Sequence, residues 1–275
     1  MAEVIAVVSG KGGVGKTITC VMAGRCLAGA GHPAVLVELD FGLRNLDLAL
    51  GLENEVLDNL ADVAAGRCEV EDALLEDRNP LQEPAAAAEL PGGGTAVTAG
   101  AEPGDRTAGA VLRLLPAPQR LSQAELCEEK LPAVISSLRN SQEYIFLDAP
   151  PGLGQGFQLA VSCADRAVIV LDQTPAAVRD ADCVLRCLKD RGLRRIELLL
   201  TRTAAEGQVP ESLVSDGEIE DLLGCPVIGR IPEDPALRLA CGGLPLPADS
   251  PALAAYRAAA ERLLLKETEE VPELP

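Results

Sequence analysis

An α/β fold, with a mostly parallel twisted sheet and helices on both faces, is predicted by three stretches of this 275-residue sequence. Val4-Ile5-Ala6-Val7-Val8 is a short apolar run rich in β-branched residues, the pattern of a strand buried on both faces. It leads through a glycine-rich turn into residues with helical apolar spacing, among them Val21, Ala23, Leu27 and Ala28. Pro33 to Leu39 repeats the apolar run and closes a βαβ unit with the first. The third run, Tyr144 to Leu147, ends on Asp148. In a parallel sheet the carboxyl ends of neighbouring strands open on one crevice, so Asp40 and Asp148 should lie beside the glycine-rich turn.

That turn carries the first chemistry. Gly10 to Thr17 fits G-x-x-x-x-G-K-[ST], a loop whose backbone N–H groups cradle phosphate at a helix N-terminus. Lys16 would reach the β- and γ-phosphates and Thr17 would place its hydroxyl on Mg²⁺. Without the lysine such a turn is only a tight connection. Here two of the five lysines, Lys11 and Lys16, fall in this loop, against nineteen arginines elsewhere. A carboxylate at Asp40 can orient an attacking water or hold a water on Mg²⁺, although Asp also suits a helix N-cap. Asp148 would hold Mg²⁺ through a water.

Composition narrows the partners. The formal net charge of −18 disfavours non-specific attraction to nucleic acid or anionic lipid. Nine cysteines occur without a C-x-x-C pair, mostly inside apolar segments, which reads as small buried hydrophobes in a reducing cytosol. Cys183 and Cys187 share a helix face and could form half of a metal site. No apolar run reaches transmembrane length, and the chain opens directly on its first strand, so a cytoplasmic protein is expected.

The remaining elements follow in order. Glu55 to Ala65 and Glu69 to Leu75 have helical spacing. Between Pro80 and Ala110, 19 of 31 residues are Ala, Gly or Pro, and a mobile surface loop is expected there. Val111 to Ala117 reads as a strand and Leu121 to Leu138 as an amphipathic helix. Arg166 to Leu171 is another buried strand, Pro175 to Leu188 a helix, and Ile196 to Thr201 a strand. Pro226 to Asp234 contains the last strand, and Leu253, Tyr256, Ala260, Leu263 and Leu264 form one stripe on a closing helix that should dock on the sheet. One domain over residues 1–265 is expected, followed by an acidic, disordered tail over 266–275. The single His32 is expected at the surface beside Pro33, with no part in catalysis.

K-G-G-V-G-K-T resembles the deviant Walker A motif of the MinD/ParA family of P-loop ATPases, and G-L-R-N-L-D-L, Gly42 to Leu48, resembles the switch I region of its MinD branch. The resemblance covers nearly the whole chain and implies a P-loop NTPase fold, binding of ATP or ADP with Mg²⁺, and an ATP-dependent homodimer. It gives Lys11 the role of reaching across the dimer to the other subunit's phosphates. It makes Lys11, Lys16, Asp40 and Glu38 catalytic candidates. Gly10, Lys11, Gly12, Gly13, Val14, Gly15, Lys16, Thr17, Ile18, Arg202, Pro232, Glu233 and Asp234 become the nucleotide-binding set. Thr17, Asp40 and Asp148 become the metal set, and Asn45 and Gly152 the nucleotide-sensitive switch residues. Three positions depart from the family: Glu38 stands for an Asp, Ile18 for a hydroxyl residue facing the α-phosphate, and Thr203 for an Asn that helps recognise adenine. Weaker nucleotide binding is expected.

The same resemblance implies partners like the division regulators MinC and MinE, and V-R-D-A-D, Val178 to Asp182, is similar to the helix that bears on partner binding. A solvated charged face is the alternative reading. The tail departs most: one lysine against four glutamates, with two prolines, opposes the basic amphipathic helix that anchors MinD proteins to membrane. Membrane association through this tail is therefore not expected, though another surface or a partner could bring the protein to the inner face of the membrane. Three functions stand open on these grounds. They are an ATPase switch for placing the division septum, a ParA-like partition or positioning ATPase, and a nucleotide-gated metal-cluster carrier. The second would need a basic patch, and Arg191 to Arg195 is the densest candidate.

Overall fold

The computed structural model describes residues 2–79, 81, 110–120, 124–204, 210, 212–244 and 246–264. Most of the expected loop at 80–110 and the whole tail at 266–275 lie outside them.

Among the described residues, eight strands form one sheet: β1 (Glu3–Val8), β2 (Ala34–Glu38), β3 (Leu75–Glu76), β4 (Leu112–Leu115), β5 (Tyr144–Asp148), β6 (Arg166–Asp172), β7 (Ile196–Thr203) and β8 (Val227–Pro232). Their order is β3-β4-β2-β5-β1-β6-β7-β8. All neighbouring pairs are parallel except the two-residue edge strand β3, which runs antiparallel to β4. The strands alternate between two apolar cores. Val4, Ala6 and Val8 face one, together with α3 (Leu60–Ala64), α4 (Ala124–Leu138), α5 (Gln155–Cys163), α6 (Pro175–Asp190) and α7 (Asp216–Leu223). Ile5 and Val7 face the other, with α1 (Lys16–Gly29), α2 (Leu46–Leu50), the short α8 (Leu237–Ala240) and α9 (Pro251–Leu264). Burial on both faces explains why β1, β2 and β5 read as unbroken apolar runs and not as alternating ones.

The closing helix docks as its stripe requires. Leu253, Tyr256, Ala260 and Leu263 are buried, and the Tyr256 hydroxyl lies 3.2 Å from Thr19 Oγ1 on α1. Fully buried Arg25 on α1 makes a forked ion pair with Asp77, at 2.6 and 3.0 Å, and so ties α1 to the edge of the sheet. Also at the amino ends of the strands, buried Arg166 pairs with Glu197 and donates to the carbonyl of Leu263 at 3.1 Å, fixing the end of α9.

Two local expectations need correction. Helical spacing over Glu55 to Ala65 yields a helix only from Leu60, because Asn59 and Asp62 form a capping box that starts it there. Glu69 to Leu75 gives a single 3₁₀ turn at Glu71–Ala73 before the chain extends into β3. Leu75 and Glu76 pair with Leu114 and Arg113, so partnership along the sheet edge overrides local helix propensity. Pro132 lies inside α4, and the observed helix nonetheless spans it.

Candidate nucleotide site at the carboxyl ends of the strands

β1 is flanked by β5 and β6, and the loop leaving it turns between the carboxyl ends of these strands. This is the crevice where doubly wound sheets hold ligands. The loop from Ser9 to Gly15 needs its glycines for separate reasons. Gly13 and Gly15 have φ of 76° and 98°, in the left-handed region, with Gly15 as the N-cap residue of α1. A Cβ on Gly10 would lie 2.4 Å from Asp180 Cβ on α6. The loop is therefore pressed between the sheet and α6. α1 begins at Lys16 with no acidic residue in its first turn, so its open N–H groups and positive dipole end remain available to an anion.

Lys16 is only 8% exposed. Burial lowers its pKa, against the opposing charges of Asp148 and Asp40. A buried ammonium is favoured by added counter-charge, and phosphate supplies it. Thr17 Oγ1 donates to Asp148 Oδ2 at 2.8 Å. Asp148 is 2% exposed, and its other carboxylate oxygen, Oδ1, is buried without a hydrogen-bond partner. Burial pushes its pKa up to about 6, with the Thr17 hydrogen bond and Lys16 pulling the other way. A buried carboxylate oxygen left unpaired is costly unless something outside the chain satisfies it. Together with Thr17 and the nearby Asp40, that oxygen fits a magnesium ion, which keeps several waters and takes few protein ligands. Asp40 is partly buried, and desolvation raises its pKa against the pull of Lys16.

Glu38 sits differently from Asp40. It ends β2 directly opposite Asp148 on β5 and is fully buried. Its Oε1 accepts the backbone N–H groups of Asn45 and Leu46, the latter at 3.0 Å, while Oε2 accepts that of Ala117 at 3.4 Å. Burial raises its pKa to about 7. Both oxygens thus hold the start of α2 and the chain after β4. In this arrangement Glu38 anchors the segment that carries Asn45, whereas Asn45 itself is exposed. Arg44, at a strained φ of 46°, pairs with Asp47 and holds the turn from below.

Gly152 has a φ of 82°, and its N–H donates to the carbonyl of Ser9 at 2.9 Å, tying the loop after β5 to the phosphate loop. Lys11 reaches across the loop instead of out of it. Its Nζ lies 2.9 Å from Asp172 Oδ2 and 3.2 Å from Thr174 Oγ1. Ile18 is buried in the first turn of α1, packed beside Gly15.

At the end of β7, Arg202 is exposed with a φ of 52°, and its guanidinium donates to the carbonyl of Gly13 at 2.6 Å. Thr203 is buried beside it. Pro232 closes β8 and Glu233 is exposed. Asp234 is occupied locally, accepting Ser250 Oγ at 2.6 Å and the N–H of Ala236 at 2.8 Å. The Ser250 hydrogen bond holds its carboxyl below the usual range. Its side chain braces the approach to α9.

Three contributors escaped the sequence. Thr201 donates to the carbonyl of Val14 at 2.8 Å and steadies the loop, while Asp172 and Thr174 hold Lys11. Thr201 carries a faint signal as a hydroxyl at a strand's carboxyl end. The other two belong to a helix-capping corner, with nothing in their neighbours to show that a lysine 163 positions before Thr174 would land there. His32 is partly exposed and bonded to Glu143 at 2.7 Å, away from these residues in the sheet. Of the two cysteines on α6, Cys183 is exposed and Cys187 partly buried. Among the described residues no helix is long and apolar enough to cross a membrane.

Comparison with known proteins places this geometry. Residues 5–246 match the model of the CobQ/CobB/MinD/ParA nucleotide binding domain. A septum site-determining protein MinD from Synechocystis is 36% identical over 234 residues, covering 85% of this chain and 77% of that protein. The MinC:MinD cell division protein complex of Aquifex aeolicus contains a chain that superposes with a TM-score of 0.77 at 33% identity, covering 100% of this chain and 99% of that one. The septum site-determining protein MinD from Pyrococcus horikoshii, solved with Mg-ADP, has a TM-score of 0.76 at 26% identity and 96% coverage of both chains. The chain belongs to the MinD family within the CobQ/CobB/MinD/ParA nucleotide-binding proteins.

Proposed function

We propose that the chain is a MinD-type switch that binds ATP with Mg²⁺, closes into a homodimer, and opens again on hydrolysis, so that septum placement follows its nucleotide state. The observation that carries this reading is buried Lys16 at the start of α1, beside the Thr17–Asp148 pair with its one unsatisfied carboxylate oxygen. The Mg-ADP bound by the Pyrococcus relative supports the choice of ligand.

In the proposed reaction the N–H groups of the loop and of the first turn of α1 bind the phosphates, and Lys16 faces the β- and γ-phosphates. Thr17, with Asp148 and Asp40 through water, would hold Mg²⁺, which when bound neutralises charge on the phosphate oxygens. Asp40 orients a water for in-line attack at the γ-phosphorus. A new P–O bond forms as the bond to the ADP oxygen breaks, and the water's proton passes to the released phosphate. Lys16 and the partner subunit's Lys11 stabilise the transferring group. Glu38 supports this chemistry by holding the segment after Asp40 in place. Arg202, Pro232 and Glu233 border the space for the base, with Thr203 beside them.

A MinC-like regulator is the partner this reading implies, after the complex formed by the Aquifex relative, and a MinE-like one follows from the family resemblance. The ParA-like alternative is weaker, because the acidic chain offers DNA only the small Arg191 to Arg195 cluster, in which Arg195 already pairs with Glu3. A single domain over 1–265, in the cytoplasm and reaching membrane only through a partner, completes the proposal.

Gel filtration of wild type and Lys11→Ala, each with ATP–Mg²⁺ and with ADP–Mg²⁺, tests it. A dimer seen only for wild type with ATP is expected. A wild type that stays monomeric with ATP overturns the switch.

A further inference from the structure

We propose that Asp172 and Thr174 are positioning residues for Lys11, holding its ammonium within its own subunit, and that this clamp must open in both copies before the ATP dimer closes. The inference deepens the dimer switch proposed above and rests on it.

The geometry is specific. Lys11 Nζ lies 2.9 Å from Asp172 Oδ2 and 3.2 Å from Thr174 Oγ1, so two of its three donor directions are taken. Asp172 is not a loose surface acid. It ends β6, its side chain is 11% exposed, and its Oδ1 accepts both the N–H of Thr174 at 3.1 Å and the hydroxyl at 2.5 Å. Burial alone would raise its pKa, but Thr174 and Lys11 outweigh burial and hold it below the usual carboxylate range. With Lys11 in place the acceptor is ionised, and the two bonds from Thr174 fix its orientation.

With two of its three donors spent on Thr174 and Asp172, the ammonium has one left, so full engagement of a phosphate on another subunit requires it to leave Asp172. Every dimer that uses both lysines in trans must first break two such contacts. The lysine side chain is 35% exposed, which limits each contact to about a five-fold effect on the equilibrium, and hence about 25-fold for the pair. The clamp also sits at a mechanically useful corner. Thr174 Oγ1 accepts the N–H of Ala177 at 3.3 Å as the N-cap of α6, and Asp180 of the same helix packs on Gly10. Release of Lys11 is thus felt at the start of the helix that carries Val178 to Asp182.

The test compares full-length wild type, Asp172→Asn, Lys11→Ala and the double variant by sedimentation over a protein dilution series, with ATP–Mg²⁺ and with ADP–Mg²⁺. Asparagine keeps an oxygen for Thr174 but loses the charge that holds Lys11. We expect Asp172→Asn to lower the dimer dissociation constant with ATP by about 25-fold. ADP affinity of the monomer should be unchanged, and the double variant should stay monomeric. Asp172→Glu, which restores the charge, should move the threshold back toward wild type. If the asparagine variant does not fold, Asp172→Ser is read the same way. A wild type that dimerises with ATP while Asp172→Asn dimerises no more tightly overturns the clamp and leaves the switch standing. A wild type that remains monomeric overturns both.

Discussion

Thr17 Oγ1 donates to one oxygen of Asp148 at 2.8 Å, and the other oxygen of that buried carboxylate has no N–H or O–H partner among the described residues, with the Cys20 thiol, a weak donor, beside the carboxylate. The arrangement stores an unmet need for positive charge at the floor of the crevice. In Asp148→Asn the buried charge disappears while an acceptor for Thr17 remains. Above pH 6, where Asp148 is ionised, the nucleotide-free variant should melt no lower than wild type, and a few degrees higher is expected. Its Mg²⁺-dependent turnover should fall by about 100-fold or more. Thermal melts and phosphate release check the two halves, and a variant that melts much lower while still hydrolysing ATP would contradict the assignment.

Lys16→Ala separates binding from folding in a similar way. Because the ammonium is buried and its pKa is lowered by that burial, removing it relieves desolvation in the empty protein. Nucleotide affinity should drop by about two orders of magnitude with the fold retained. Titration with a fluorescent ADP, alongside circular dichroism, measures both.

Glu38 provides a pH signature. Its folded pKa is raised from 4.5 to about 7, so between those values the native state holds a proton that the unfolded chain has released. Its contribution to stability is present below about pH 4.5 and declines as pH rises toward 7. For Glu38→Gln, which has no proton to lose, stability relative to wild type should improve across that window by about 3 kcal/mol. Denaturant melts of the nucleotide-free proteins at pH 5 and 7.5 test this, and a constant difference between the two would refute it.

Two backbone and packing predictions bear on the scaffold. Gly10→Ala would place a methyl 2.4 Å from Asp180 Cβ and 2.9 Å from that residue's backbone, so the loop and α6 must separate. A loss of about 1–3 kcal/mol is expected, with nucleotide binding impaired as well. Arg166→Met leaves Glu197 half-buried without its partner and the Leu263 carbonyl without its donor. That change should cost about 3–5 kcal/mol in denaturant melts, although it lies at the far end of the strands from the loop.

How much of this was legible differs from residue to residue. The loop from Gly10 to Thr17 is readable because its chemistry is local: glycines that permit positive φ, a lysine, and a hydroxyl at a helix start. The strands β1, β2, β5 and β6 were readable because burial on both faces leaves a continuous apolar signature. The edge strand β3 was not, since a two-residue strand has no period and exists only through its pairing with β4. Glu38 likewise gave no sign in sequence that both its oxygens would be spent on the backbone of residues 45, 46 and 117.

The sequence by itself determined the α/β class, the phosphate loop, and the placing of Asp40 and Asp148 at strand ends, because apolar periodicity and backbone freedom are written in adjacent residues. Tertiary structure alone decided that Lys11 meets Asp172, that Thr201 steadies Val14, and that Asp148 keeps one oxygen free. Those contacts join positions more than 100 residues apart, and they depend on the order and register of strands, which no local stretch of chain encodes.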